Sequence, residues 1–216
     1  MATPPPILNI YNLRMLIQKI INGVVNLHET VQPIHRLSEL ETDDYLLVFR
    51  EHTSVERWRS LLTPATRVFD HPSSGAAMWI GNAFNAGDPA FFRQNEIKLC
   101  VNATREVPNH FADTAEYLQV SVHDVSADAE NIWKPEIARR AATVLEEGGN
   151  VFVHCYMGRS RSVALALQII SMLTGQPLDD IYIRLKRRRP IISIQTCFYR
   201  VLERRLAATG TLEVRP

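Results

Sequence analysis

The residues of this chain best placed to do chemistry lie in one stretch, VFVHCYMGRSRS over 151–162. Cys155 offers a thiolate nucleophile. Arg161 follows at C-x5-R spacing, and its planar guanidinium can bind two oxygens of one anion, which a lysine cannot do. Gly158 lets the backbone between them turn tightly, so that its amide faces inward. Ser162 sets a hydroxyl near the sulfur, useful when sulfur must leave again, and His154 can orient the loop through a hydrogen bond. Removing phosphate from an ester needs a nucleophile, charge stabilisation on the phosphoryl oxygens and a proton for the leaving oxygen. The stretch supplies the first two. It is also bracketed by the apolar run Val151-Phe152-Val153 and a helical pattern from Val163 to Leu173. Strand, polar loop and helix together let loop amides and a helix N-terminus cradle an anion. The same dipoles and the cation favour the thiolate over the thiol. Because loop amides supply the charge stabilisation, no metal or other cofactor is expected, and the seven histidines show no zinc-ligand spacing.

The composition is consistent with such a site. The chain has 216 residues, 46% of them hydrophobic, enough for one sizeable core and an appendage. A net charge of +1 does not point to nucleic acid or to a membrane surface. Three cysteines, at 100, 155 and 197, are too few for a disulfide framework, and a reducing compartment is expected. The N-terminus MATPPPILNIYN lacks the features of a signal peptide, and the longest apolar stretch is too short to span a bilayer. Cytoplasmic localisation is the expectation, with a nuclear address in the run Lys186-Arg187-Arg188-Arg189 as the alternative.

The elements that must position the loop divide the chain in three. Residues 1–65 read as a helical extension serving docking, dimerisation or packing. Leu13, Leu16, Ile17, Ile20, Ile21, Val24 and Val25 form a helical stripe, Asp43 and Asp44 can open a second helix, and Thr53-Ser54-Val55-Glu56 is a capping box for a third that Pro64 closes. The unusually apolar first stripe suggests a homodimer through these helices. Residues 66–210 alternate strand and helix patterns, which predicts an α/β domain with a central, mostly parallel sheet flanked by helices. Strands are expected at 67–69, 78–80, 97–101, 117–122 and 150–154. Helices are expected at about 88–94, 131–146, 163–173, 178–188 and 194–208. Residues 211–216 form a tail.

HCYMGRSRS resembles the HCxxGxxR(S/T) signature of the cysteine-dependent protein tyrosine phosphatases, and Ser160 before the arginine resembles the dual-specificity branch. Four further segments resemble that family in order: Trp79-Ile80-Gly81-Asn82-Ala83, Ile97 to Thr104, Leu118 to Asp124, and Arg189-Pro190-Ile191-Ile192 with the helix after it. The resemblance covers roughly residues 66–208. It implies a phosphatase fold, a phosphate-binding loop of Tyr156, Met157, Gly158, Arg159, Ser160 and Arg161, and a general acid at Asp124, with Asp128 as the alternative. It also implies that Asn102 supports the phosphate loop from below by a hydrogen bond.

The expected activity is hydrolysis of phosphotyrosine and phosphoserine/threonine in proteins through a cysteinyl-phosphate. Two alternatives stand beside it. One keeps the chemistry on a non-protein phosphate, a phosphoinositide or an RNA 5′-phosphate, for which Arg159 and the 186–189 run are the motive. The other is a phosphate-binding module without turnover. Tyr156 either rims the pocket or points outward, and Arg159 either meets a second acidic group or is a solvated loop residue. Gln195 stands where the family often has asparagine and is given no role. Cys197 reads as a core helix residue. Cys100 reads as a buried strand residue, with an oxidation partner for Cys155 as the sharper alternative.

Overall fold

A computed structural model describes residues 54–124 and 126–209. The first two expected helices, and with them the dimer reading, lie outside the described residues, as does the tail. The third N-terminal helix is present as α1, Ser54–Leu62, and Thr63 ends it by donating its backbone N–H to the Arg59 carbonyl at 3.1 Å. Two compact units divide at Glu56/Arg57, ahead of the 65/66 boundary expected from the pattern. Everything below concerns the second unit.

Five strands form one sheet: β1 (Thr66–Asp70), β2 (Ala77–Gly81), β3 (Ile97–Asn102), β4 (Glu116–Gln119) and β5 (Asn150–His154). Their spatial order is β1-β2-β5-β3-β4, with β1 antiparallel to β2 and the other neighbours parallel. The expected α/β class with a mostly parallel sheet is therefore the observed one. In register, His154 at the end of β5 lies between Gly81 and Asn102, the last residues of β2 and β3. The loops leaving these strands thus emerge together at the carboxyl edge, where open α/β sheets place their sites.

Alternation along β5 explains why the sheet is covered twice. Val151, Val153 and Cys155 face a core built with α4 (Pro135–Glu146), α5 (Arg161–Thr174), α6 (Leu178–Arg188) and α7 (Thr196–Ala208). Phe152 faces the second core, with Phe92, Ile97, Cys100, Val107 and the short helices α2 (Ala83–Ala86) and α3 (Pro89–Gln94). Asp88 caps α3 by accepting from the Ala90 and Phe91 amides at 3.0 and 3.2 Å, and Pro89 opens it without losing a needed donor.

Two expected elements differ. The helix expected over 131–146 is split into a 3-10 segment, Ser126–Ile132, and α4, because Pro135 lacks an N–H and disfavours helical backbone at Lys134. The expected strand 117–122 ends at Gln119, and the next turn of backbone closes when the Val122 N–H donates to the Val120 carbonyl at 2.9 Å. That turn re-aims the chain toward the phosphate loop.

Candidate active site

β5 delivers Cys155 to the carboxyl edge of the sheet, and α5 begins at Arg161. Gly158 between them has φ +66°, a left-handed conformation that side chains disfavour, and its N–H donates to Cys155 Sγ at 3.2 Å. A Cβ at this position would stand 2.6 Å from the Gly81 carbonyl oxygen, so the close approach of β2 also requires glycine. Ser162 Oγ lies 3.3 Å from Cys155 Sγ. Met157 is buried.

Arg161 is only 4% exposed, yet its charge is retained. Burial works against the cation, but Cys155, Glu106 and Asp124 together raise its pKa above the ordinary value. Nη1 donates to the Val122 carbonyl at 3.0 Å and Nη2 to Glu106 Oε1 at 3.3 Å. Nε is buried without a hydrogen-bond partner among the described residues, and a phosphoryl oxygen would supply one. Glu106 carried no signal in the sequence beyond its charge, since only the fold brings the 103–109 loop to the guanidinium.

Asp124 reaches the phosphate loop: Ser160 Oγ donates to its Oδ1 at 3.0 Å. Asp128 instead accepts from the His123 amide at 2.7 Å and from Asn131, which makes it a brace of the 3-10 segment. Of the two carboxyls, Asp124 is the one that contacts the 155–161 loop.

Two expected supports act differently. Asn102 does not hydrogen-bond the phosphate loop. Its side chain donates to the Val107 carbonyl and Asn109 Oδ1, at 2.7 and 2.9 Å, and accepts from Thr104. Its strand-end position turns it into the next loop, so it braces the segment that carries Glu106. The His154 ring meets the loop through a contact with the Cys155 backbone rather than through a well-formed hydrogen bond. It is fully buried, stacked on Phe152 at 5.4 Å, and neither ring nitrogen has a well-formed hydrogen bond among the described residues. Its backbone carbonyl instead accepts from Ala103 at 2.8 Å. Burial lowers the ring's pKa to about 3, so the ring is neutral.

Tyr156 settles between its two readings by contacts on both ends. Its carbonyl accepts from Ala83, while its half-buried ring lies under the Arg57 guanidinium, 5.9 Å from centroid to carbon, with the phenol oxygen accepting from Nη2 at 3.5 Å. Arg159 anchors the loop through its carbonyl, which accepts from Ser193 at 2.9 Å, and its side chain is half-buried. Cys100 is buried in the second core against Tyr117, whereas Cys155 belongs to the first. Burial pushes the Cys100 thiol well up, which suits a core residue. Cys197 is half-buried in α7 beside the first core.

Arg189, the last residue of the Lys186–Arg189 run, is 1% exposed. Nε donates to the Gly158 carbonyl at 3.0 Å, and Nη1 donates to the Pro64 carbonyl and Thr66 Oγ1 at 2.7 and 2.8 Å. Burial lowers its pKa to about 10, with Cys155 opposing. A signal existed: Ile181 and Leu185 are on the buried stripe of α6, and position 189 continues it. Of its neighbours in the run, Arg188 pairs with Asp70 at 3.0 Å and Lys186 donates to the Ile192 carbonyl.

A thiol facing an inward amide, a hydroxyl and a buried guanidinium at the carboxyl edge of a parallel sheet defines a cysteine-centred anion site. The family described as "Dual specificity phosphatase, catalytic domain" matches residues 78–205, and the chain belongs to it. Among similar proteins are Dual specificity protein phosphatase 1-A of Xenopus laevis and Protein phosphatase Slingshot homolog 3 of Mus musculus. The first is 30% identical over 116 residues, 54% of this chain and 31% of that protein. The second is 32% identical over 139 residues, 64% of this chain and 20% of that protein. The chain thus spans a third or less of these curated relatives. The crystal structure of human DUSP28 superposes with a TM-score of 0.61 at 26% identity, covering 68% of this chain and 96% of that one.

Among the described residues no group of three or more His, Cys, Asp or Glu is arranged to hold a metal ion, and no helix is long and apolar enough to cross a membrane.

Proposed function

We propose that this protein hydrolyses phosphotyrosine and phosphoserine/threonine in phosphoproteins. Cys155 sulfur attacks phosphorus as the bond from phosphorus to the leaving oxygen breaks. Asp124 gives that oxygen its proton. The loop amides and the Arg161 fork hold the three equatorial oxygens where negative charge is spread. Asp124, now a carboxylate, takes a proton from water as the water attacks the cysteinyl-phosphate. The sulfur leaves toward the Ser162 hydroxyl, and inorganic phosphate departs.

The observation that carries this reading is the convergence of the Gly158 amide and the Ser162 hydroxyl on Cys155 Sγ. Both groups favour sulfur as an anion and as a leaving group. The protein-substrate part of the reading draws on family membership. The alternative of a lipid or RNA phosphate has less support than its motive suggested, because Arg189 is buried and Arg188 and Lys186 are occupied.

The test is one substrate panel run with wild type and Cys155→Ser. It compares an aryl phosphate, phosphotyrosine and phosphothreonine peptides, a phosphoinositide and a triphosphorylated RNA. Turnover of the peptides that disappears in Cys155→Ser is expected. Turnover retained by Cys155→Ser would refute the nucleophile, and preference for lipid or RNA would refute the substrate class. An inert wild type would leave a binding module.

A further inference from the structure

The general acid of a phosphatase must present one particular oxygen with a proton on it, and a carboxyl has two to choose from. Three hydrogen bonds around Asp124 bear on that choice. The Gln195 backbone N–H donates to Ser160 Oγ at 3.2 Å. Ser160 Oγ lies 3.0 Å from Asp124 Oδ1. The Gln195 side-chain Nε2 donates to the Asp124 backbone carbonyl at 2.6 Å. The polarity of this chain is fixed from one end. An amide N–H can only donate, so the Ser160 oxygen accepts there, and its single hydrogen is directed at Oδ1. Oδ1 is thereby held as an acceptor, and the transferable proton belongs on Oδ2. The amide orientation is set the same way, because a backbone carbonyl can only accept.

We infer that Gln195, acting with Ser160, is the positioning residue of the general acid. Its side chain clasps the backbone of Asp124 and its main chain polarises the serine that selects the proton-bearing oxygen. This rests on Asp124 being the acid in the proposed reaction. The segment before α7 is well placed for the role, since Ser193 also donates to the Arg159 carbonyl at 2.9 Å, so 193–195 is fastened to the phosphate loop itself. Acid loop and phosphate loop are thus registered to each other through a third segment.

A residue that only supported the fold would slow all substrates alike when replaced. A residue that aims the acid affects substrates according to how much their leaving group needs a proton. The experiment therefore measures kcat/KM for 4-nitrophenyl phosphate, whose phenol leaves readily, and phenyl phosphate, whose phenol does not. It compares wild type, Gln195→Met, Asp124→Asn and the double variant. Gln195 is half-buried, so Gln195→Met is expected to fold; Gln195→Glu, which turns the donor into an acceptor facing a carbonyl, serves as the second variant.

General acids contribute roughly 10²–10⁴-fold, and partial misplacement should cost phenyl phosphate about tenfold more than 4-nitrophenyl phosphate. The basic limb of the kcat/KM–pH profile, which reports loss of the acid's proton, should flatten in Gln195→Met. In the Asp124→Asn background, Gln195→Met should add no further discrimination between the two esters, because both changes act on one step. Equal losses on both esters, or a further leaving-group effect in the double variant, would overturn the positioning role while leaving the acid in place. If Asp124→Asn alone shows no leaving-group dependence, the acid assignment fails first and the inference with it.

Discussion

Acidification should unfold this protein in part through His154. The ring is fully buried against Phe152, and its pKa is lowered from 6.5 to about 3. Burial is the main cause; a contact with the Cys155 backbone partly opposes it, while His110 and Arg161 add to the lowering. In the unfolded chain the same ring takes a proton below about pH 6.5. Between these two values the unfolded state binds more protons, so stability rises with pH: the contribution is fully present above about 6.5 and is lost as pH falls toward 3. One proton changes stability by about 1.4 kcal/mol per pH unit, which gives about 2 kcal/mol lost at pH 5 and about 5 by pH 3. Against a typical total of about 5–15 kcal/mol, that is a large share. Urea unfolding of wild type and His154→Phe from about pH 7 to about pH 5 reads it directly. Phenylalanine keeps a ring on Phe152 and cannot titrate. Its own packing cost is independent of pH, and the carboxylates titrate in both proteins. The wild-type curve should fall relative to the variant by about 2 kcal/mol over that range. Parallel curves, or a His154 ring titrating near its ordinary value by NMR, would refute the reasoning.

Further changes test the scaffold of the site. Gly158→Ala should reduce turnover at least about 100-fold, because a left-handed residue costs about 1–2 kcal/mol and the new Cβ must also push the loop off the Gly81 carbonyl; steady-state kinetics and a melting curve separate the two effects. Glu106→Ala should lower kcat/KM by about 10–100-fold with little loss of stability, since it releases one arm of the Arg161 fork from a half-buried partner. Asn82→Ala should destabilise by about 2–4 kcal/mol in denaturant, because it removes the cap on two amides and the donor to the Ser60, Leu61 and Thr63 carbonyls. A chain begun at Thr66 should melt lower than one begun at Ser54, because Asn82 and Arg189 both lose acceptors at residues 60–64.

What the sequence made legible follows a physical rule. Periodicity marked β5 and α5, because Val151 and Val153 alternate into one core and α5 is buried over most of its length. Pro89 after Asp88 fixed a helix start to the residue, because a cap and a missing donor are both local chemistry. Local rules failed where two of them competed. The apolar positions of 131–146 fit one helix, but Pro135 enforced a break that periodicity does not register. Among the proposed site residues, Cys155, Gly158 and Arg161 were readable because a thiol, an amide turn and a guanidinium must be contiguous to form a cradle. Asn102 was expected to bond that cradle and braces the next loop instead, because a strand-end side chain can turn to either neighbouring loop and only packing decides which, while the His154 ring stacks on Phe152.

The residues that hold the cradle in shape were hidden for a different reason: their partners are mostly backbone carbonyls, which every residue carries. Arg189 meets Gly158 and Pro64, Gln195 meets Asp124, and Asn82 meets three carbonyls at the end of α1. No pattern in side-chain type announces such a bond. What can announce it is a mismatch between a residue's polarity and the burial its position implies. Arg189 continues the apolar stripe of Ile181 and Leu185, and a guanidinium there must find acceptors or not be buried. Gln195 gives the weaker version of the signal, an amide just ahead of a helix whose first buried residue is Phe198. The phosphate loop is therefore held from segments distant in sequence, at 60–66, 82–83 and 189–195. The shape of the site depends on that whole frame, of which the nine-residue signature HCYMGRSRS is only one contiguous part.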